Sequence, residues 1–132
     1  MKHTCRYIPI LLALILALMT STALAGKVHN LTPAQARKAI AATPDLVILD
    51  IRTPGEFHAG HLKNARNIDF YGKNFKARID GLDKAVPYFV YCRSGRRSSI
   101  AIEYMQQVGF DTIYHLGNGI NGWTGANLPL VR

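Results

Sequence analysis

The amino-acid sequence predicts an α/β domain with a mainly parallel sheet. Leu46–Ile51 and Tyr88–Tyr91 are continuous rather than alternating apolar runs, the pattern of strands covered on both faces. The segments between them carry helix signals, with capping residues at their starts and apolar residues at three-and-four spacing. Strand and helix then alternate along the chain, as the crossovers of a parallel sheet require. In such sheets binding sites gather beyond the carboxyl ends of the strands. Asp50-Ile51-Arg52, Cys92 and Leu116-Gly117 are therefore expected along one edge.

The chain opens with Lys2 and Arg6, followed by an apolar run from Ile8 to Met19 and the small-x-small sequence Ala23-Leu24-Ala25. This is the layout of a secretory signal peptide over 1–25. The run falls well short of the ~20 residues that span a bilayer, and Cys5 precedes it, which argues against a lipoprotein signal. An uncleaved anchor is the alternative. The expected mature chain, 26–132, is one compact domain, exported, and periplasmic in a Gram-negative source, with no membrane contact after signal removal.

Thr32-Pro33-Ala34-Gln35 reads as a helix start, with Thr32 as cap and Gln35 completing a capping box. The helix runs from Ala34 to Ala42 and stops at Thr43-Pro44. The strand Leu46–Ile51 ends in charge at Asp50 and Arg52, and Thr53–Phe57 turns away as one helical turn. Asn67–Asp69 reads as a short strand, and Asn74–Ile79 as a helix capped by Asn74 with Gly81 beyond its end. After the strand Tyr88–Tyr91 comes a polar loop, then the amphipathic helix Ser98–Met105, which closes at Gly109 in the left-handed position. Thr112–Leu116 is a further strand, Gly117-Asn118-Gly119 a turn, and Gly122-Trp123 begins a last short helix or turn in which Trp123 packs in the core.

Sixteen Lys and Arg against eight Asp and Glu give a formal charge of +8, or +6 once Lys2 and Arg6 leave with the signal. The basic residues are scattered, except around Cys92, and no nucleic-acid motif accompanies them, so the charge favours small anionic substrates over nucleic acid. Cys5 also leaves with the signal, and Cys92 is then the single cysteine of an exported domain. A lone thiol in an oxidising compartment is either a reactive group or an inert core residue.

Its setting tilts the reading toward reactivity. Cys92 follows a buried strand and opens the loop Arg93-Ser94-Gly95-Arg96-Arg97-Ser98 that leads into a helix. Unpaired N–H groups at the helix start, and three arginines, favour the thiolate. Gly95 permits a close backbone approach or a positive φ. Asp50 and Arg52 are expected to brace the sheet edge, and Glu56 to pair with a loop arginine. His58 and His61 have no third clustered ligand, so hydrogen bonding is expected of them and no metal.

Three separated motifs resemble the rhodanese-like family of single-domain sulfurtransferases. The first runs from Leu49-Asp50-Ile51-Arg52 through Glu56-Phe57-His58-Ala59-Gly60-His61-Leu62 to Ala65-Arg66-Asn67-Ile68. The second is the loop Val90–Ser98 around Cys92, and the third is Gly109-Phe110-Asp111 with Leu116–Gly119 and Gly122-Trp123. The resemblance implies a rhodanese-like fold, a five-stranded, mainly parallel sheet flanked by helices. It also implies a persulfide on Cys92, with Arg93, Ser94, Gly95, Arg96, Arg97 and Ser98 binding the substrate. Donor and acceptor would be a small anion such as thiosulfate and a thiol, cyanide or a protein sulfur acceptor, with no cofactor. Asn118 stands where the family pattern has a second consecutive glycine, a replacement that a left-handed backbone would tolerate.

Two rival functions fit a cysteine loop. A cysteine phosphatase or arsenate reductase also wraps an oxyanion. However, the phosphatase pattern needs an arginine six positions after the cysteine, where this chain has Ser98, and no acidic residue lies in the loop. A non-catalytic persulfide carrier would use the same chemistry without turnover.

Overall fold

The computed structural model describes residues 26–132. The expected signal segment lies outside them. Five strands, β1 (Lys27–Leu31), β2 (Val47–Asp50), β3 (Arg66–Asn67), β4 (Tyr88–Tyr91) and β5 (Thr112–Leu116), form one sheet in the order β1-β5-β4-β2-β3. Every pairing within it is parallel. The helices are α1 (Pro33–Ala42), α2 (Pro54–Ala59), α3 (Phe75–Asp80), α4 (Arg96–Gln107) and α5 (Gly119–Gly125). Among the described residues no helix is long and apolar enough to cross a membrane.

The two apolar runs are continuous because the sheet is covered on both sides. Tyr88 and Val90 pack with α3 and α4 through Ile79, Ala101 and Met105, whereas Phe89 and Tyr91 pack on the other face with Ala36, Ile120 and Trp123. Alternate residues of one strand thus feed two cores, and all four residues of β4 are buried. The chain leaves β2 outward to β3 and leaves β4 in the opposite direction to β5. A crevice opens where those directions part, beyond the carboxyl ends of β2 and β4. Asp50, the last residue of β2, and Cys92, the first past β4, mark those ends and are both buried.

Several boundaries differ from expectation. β1 is absent from the sequence reading, since Lys27–Leu31 offers only Val28 and Leu31 as apolar residues. It is an edge strand, held by backbone pairing to β5 and by Val28 and Leu31, which each pack against one of the two cores. β3 is two residues at Arg66–Asn67, one step earlier than Asn67–Asp69. α1 and α2 both begin in capping boxes, Thr32 with Gln35 and Thr53 with Glu56. Asn74 precedes α3 but makes no capping bond with its side chain. α4 starts at Arg96, two residues before Ser98, because the turn at Gly95 already directs the chain into helix. Gly109 is left-handed, with φ 96°, as its place after that helix predicts. Asn118 is not, at φ −92°; the left-handed residue of the closing turn is Gly119, at φ 58°. The extra glycine of the family pattern is therefore not needed at 118 for its backbone freedom.

Candidate active site

β4 ends at Tyr91, so Cys92 is the first residue past the sheet, and the loop reverses at once into α4. Gly95 makes the reversal, with φ 99° and ψ −16°. A methyl group there would collide with the Gly117 carbonyl. The reversal folds the loop amides around sulfur. Cys92 Sγ accepts the Gly95 N–H at 3.1 Å and the Ser98 N–H at 3.4 Å, and lies 3.3 Å from Ser98 Oγ. From the other side α5 closes the loop, as the Ile120 N–H donates to the Cys92 carbonyl at 2.9 Å.

Cys92 is 1% exposed. Burial is the largest influence on its thiol and pushes it up. The Ser98 hydroxyl and the amides of Ser98, Gly95 and Ser94 together outweigh burial, so the thiol sits below its ordinary value. The arginines do less than the sequence suggests. No guanidinium hydrogen-bonds to Sγ among the described residues, and none ranks with those leading influences. Arg93 and Arg96 are exposed and line the mouth of the depression over the loop with Ser94, Tyr71 and Thr53.

Arg97 is committed elsewhere. Its guanidinium grips Glu56 through two hydrogen bonds of 2.9 and 2.8 Å and lies over the Tyr71 ring. This is the pairing expected of Glu56, and it anchors the start of α4 to α2. The Arg97 bonds hold the Glu56 carboxyl down to about 2, against a desolvation that pushes it up; Thr53 adds to the lowering. A depressed acid contributes stability above its unfolded pKa and loses it as pH falls toward the folded one. Glu56→Gln keeps the hydrogen-bonding shape without the charge. It is expected to lose about 1 kcal/mol at pH 7. Urea melts should show that deficit shrinking between pH 4.5 and about 2, and a deficit constant with pH would refute the ion pair as its source.

Asp50 and Arg52 brace the sheet and make no side-chain hydrogen bond to the loop among the described residues. Arg52 Nη2 meets Asp50 Oδ2 at 2.6 Å and the Gly60 carbonyl at 2.7 Å. Asn67 Nδ2 bridges the carbonyls of both residues. His61 stacks on Phe57 with ring centroids 3.7 Å apart, and its Nδ1 lies 2.9 Å from the Phe57 carbonyl. His58 packs edge-on against the same ring.

The sequence reading missed His115 and Asn30. Ser98 Oγ is 2.7 Å from His115 Nε2, and His115 Nδ1 is 2.9 Å from Asn30 Oδ1. His115 shares the buried parity of Ile113 on β5, the one signal that marks it as an inward-facing polar residue.

A family model, the rhodanese-like domain, matches residues 32–126. A sulfurtransferase of Allochromatium vinosum is 34% identical over 92 residues, 70% of this chain and 84% of that one. The thiosulfate sulfurtransferase GlpE of Shewanella oneidensis is 35% identical over 80 residues, 61% of this chain and 77% of that one. A tRNA uridine(34) hydroxylase of Pectobacterium carotovorum is 34% identical over 86 residues, which cover 62% of this chain but only 24% of the hydroxylase. The crystal structure of a rhodanese-related protein from Thermoplasma volcanium superposes with a TM-score of 0.68 at 27% identity, covering 78% of this chain and 97% of that one. With the family model spanning most of the described residues, the chain belongs to the rhodanese-like domain family.

Proposed function

We propose that the protein is a sulfurtransferase in which Cys92 takes a sulfane sulfur from a small anionic donor such as thiosulfate and passes it to cyanide or a thiol. The thiolate attacks the outer sulfur, the donor's S–S bond breaks, and sulfite leaves with its electron pair. Cys92 then carries the extra sulfur as a persulfide. An acceptor nucleophile attacks that outer sulfur, and Cys92 departs again as the thiolate. The chemistry calls for no metal and no organic cofactor.

The supporting observation is the convergence of the Gly95 and Ser98 amides on Sγ, with the Ser98 hydroxyl 3.3 Å from it. Such a nest stabilises negative charge on a buried sulfur in thiolate and persulfide alike. Arg93 and Arg96, exposed at the mouth, suit a dianionic donor. The phosphatase alternative has less to stand on. Its arginine position is Ser98, which turns its hydroxyl to sulfur, and the nearest guanidinium in sequence, Arg97, is bound to Glu56. With the residues before Gly26 acting as an export signal, the reaction would run outside the cytoplasm.

Intact mass of the protein recovered from its host tests both points. After thiosulfate treatment the chain should begin at Gly26 and gain one sulfur atom, a gain abolished in Cys92→Ser. Continuous turnover of thiosulfate with cyanide identifies an enzyme, whereas a single equivalent of label without turnover identifies a carrier. Wild-type protein that gains no sulfur would overturn the reading.

A further inference from the structure

The sulfur of Cys92 is the first member of a hydrogen-bonded chain that runs away from the substrate side into the sheet. It passes from Cys92 Sγ to Ser98 Oγ at 3.3 Å, then to His115 Nε2 at 2.7 Å, and from His115 Nδ1 to Asn30 Oδ1 at 2.9 Å. It links four elements that only the folded sheet brings together: the end of β4, the first turn of α4, and the neighbouring strands β5 and β1. Ser98 is fully buried and His115 is 5% exposed.

The donors and acceptors along this chain are nearly determined. Asn30 presents its amide oxygen, so His115 Nδ1 carries a proton and Nε2 is left as an acceptor. The Ser98 hydroxyl has one proton to give. The Gly95 carbonyl also lies within its reach, at 3.1 Å, but already accepts the Ser99 N–H at 3.0 Å and the Ser99 hydroxyl at 2.8 Å. The shorter contact, to Nε2, takes the proton, which leaves Ser98 Oγ able to accept from a Cys92 thiol.

We propose that His115 is a positioning residue that holds the proton Cys92 gives up, receiving it through the Ser98 hydroxyl. The Sγ–H bond breaks as a new Oγ–H bond forms, and the original Ser98 proton passes to His115 Nε2. The products are a thiolate, a Ser98 hydroxyl now donating to it, and an imidazolium donating to Ser98 and to Asn30. Net charge is unchanged, and nothing is oxidised or reduced. This inference rests on the reading of Cys92 as the nucleophile.

The surroundings leave the two groups to each other. The sheet face that carries His115 offers Val28 from β1, Ile113 from β5, and Val90 and Cys92 at β4, covered by Ala101, Ile102 and Met105 of α4. Glu103 of α4 and Lys27 of β1 are exposed. Tyr88 and Tyr104 also belong to this face, but their hydroxyls donate to the Asp83 carbonyl and the Asp80 carboxylate, so Cys92 is the ionisable group that Ser98 links to His115. Burial alone holds the His115 imidazole below its ordinary value, so the imidazolium forms where a thiolate forms with it. The resulting ion pair is buried, and it exchanges charge through one hydroxyl rather than through water.

The test reads ionisation without any sulfur substrate. The rate of Cys92 alkylation by iodoacetamide is followed against pH for the whole protein. His115→Gln retains a side-chain amide that can bond Ser98 but cannot hold an extra proton. It is expected to raise the pH midpoint by about one unit, with alkylation about tenfold slower on the acid limb. Asn30→Ala, a change at an exposed residue, should move the midpoint in the same direction by a smaller step and guards against a folding failure of the first variant. Nitrogen chemical shifts of His115 should show imidazolium in the free protein and neutral imidazole once Cys92 is alkylated. An unmoved midpoint in both variants, or a neutral His115 in both states, would overturn the relay. Failure of thiosulfate to label a Cys92 whose midpoint does respond to His115→Gln would overturn the sulfur-transfer reading alone.

Discussion

Gly95→Ala should slow sulfur transfer about a hundredfold and destabilise the fold by roughly 2–4 kcal/mol. Two effects coincide at this position. At φ 99° an L side chain is strained, and the added methyl meets the Gly117 carbonyl, which is backbone and cannot swing aside. Gly117 leads into α5, whose first turn is itself tied to the loop through the Cys92 and Arg93 carbonyls. Relief must therefore come from the loop, and the Gly95 N–H, 3.1 Å from Sγ, is the group that moves. Removing one preorganised donor from a buried anion has a cost in rate that stability alone does not report. Urea melts and the pH dependence of alkylation separate the two. The variant should show both a lower midpoint of unfolding and a higher alkylation midpoint. Wild-type values for either would mean that the nest does not need its left-handed residue.

The same locality explains why this part of the site could be read from sequence. A cysteine after a buried strand, a glycine three residues on and a helix behind it define a loop whose amides must converge, whatever the rest of the chain does. The strands β2 and β4 were legible for a related reason, because a strand fed into two cores is apolar at both parities until the polar residues at its end. Partnerships made across the fold were harder to see. Three arginines beside a cysteine suggest a shared charge effect, yet Arg97 is taken by Glu56, 41 residues away. Glu56 stands at that spot as the third residue of the capping box that opens α2, and so meets Arg97 at the start of α4. His115 and Asn30 are 85 residues apart and meet because β1 pairs with β5 in a register that places them side by side. β1 itself has too few apolar residues to announce a strand. What stayed hidden was set by edge pairing and register.

Asp50→Ala tests the division between the residues that carry chemistry and those that hold the edge. Asp50 is 0% exposed and Arg52 5%. Removing the carboxylate leaves a buried guanidinium over the Tyr91 ring, with the Gly60 carbonyl as its remaining hydrogen-bond partner among the described residues. Breaking one side of a buried pair costs about 3–5 kcal/mol, a large share of the 5–15 kcal/mol typical of a domain. The melting temperature should fall on the order of 15–25 °C. Replacing both members with apolar residues of similar size, Asp50→Leu with Arg52→Met, should recover much of that loss, since no charge is then stranded. The site makes the opposite prediction for chemistry. Neither side chain reaches Cys92 or its loop, so well below its melting temperature Asp50→Ala should still take up one sulfur, with the alkylation midpoint of the wild type. A stable Asp50→Ala protein that failed to label would place Asp50 in the reaction itself. A labelled but easily melted one would confine it to the frame, and would show that the nest around sulfur is assembled by the Gly95 turn and α4 without help from the charged edge of β2.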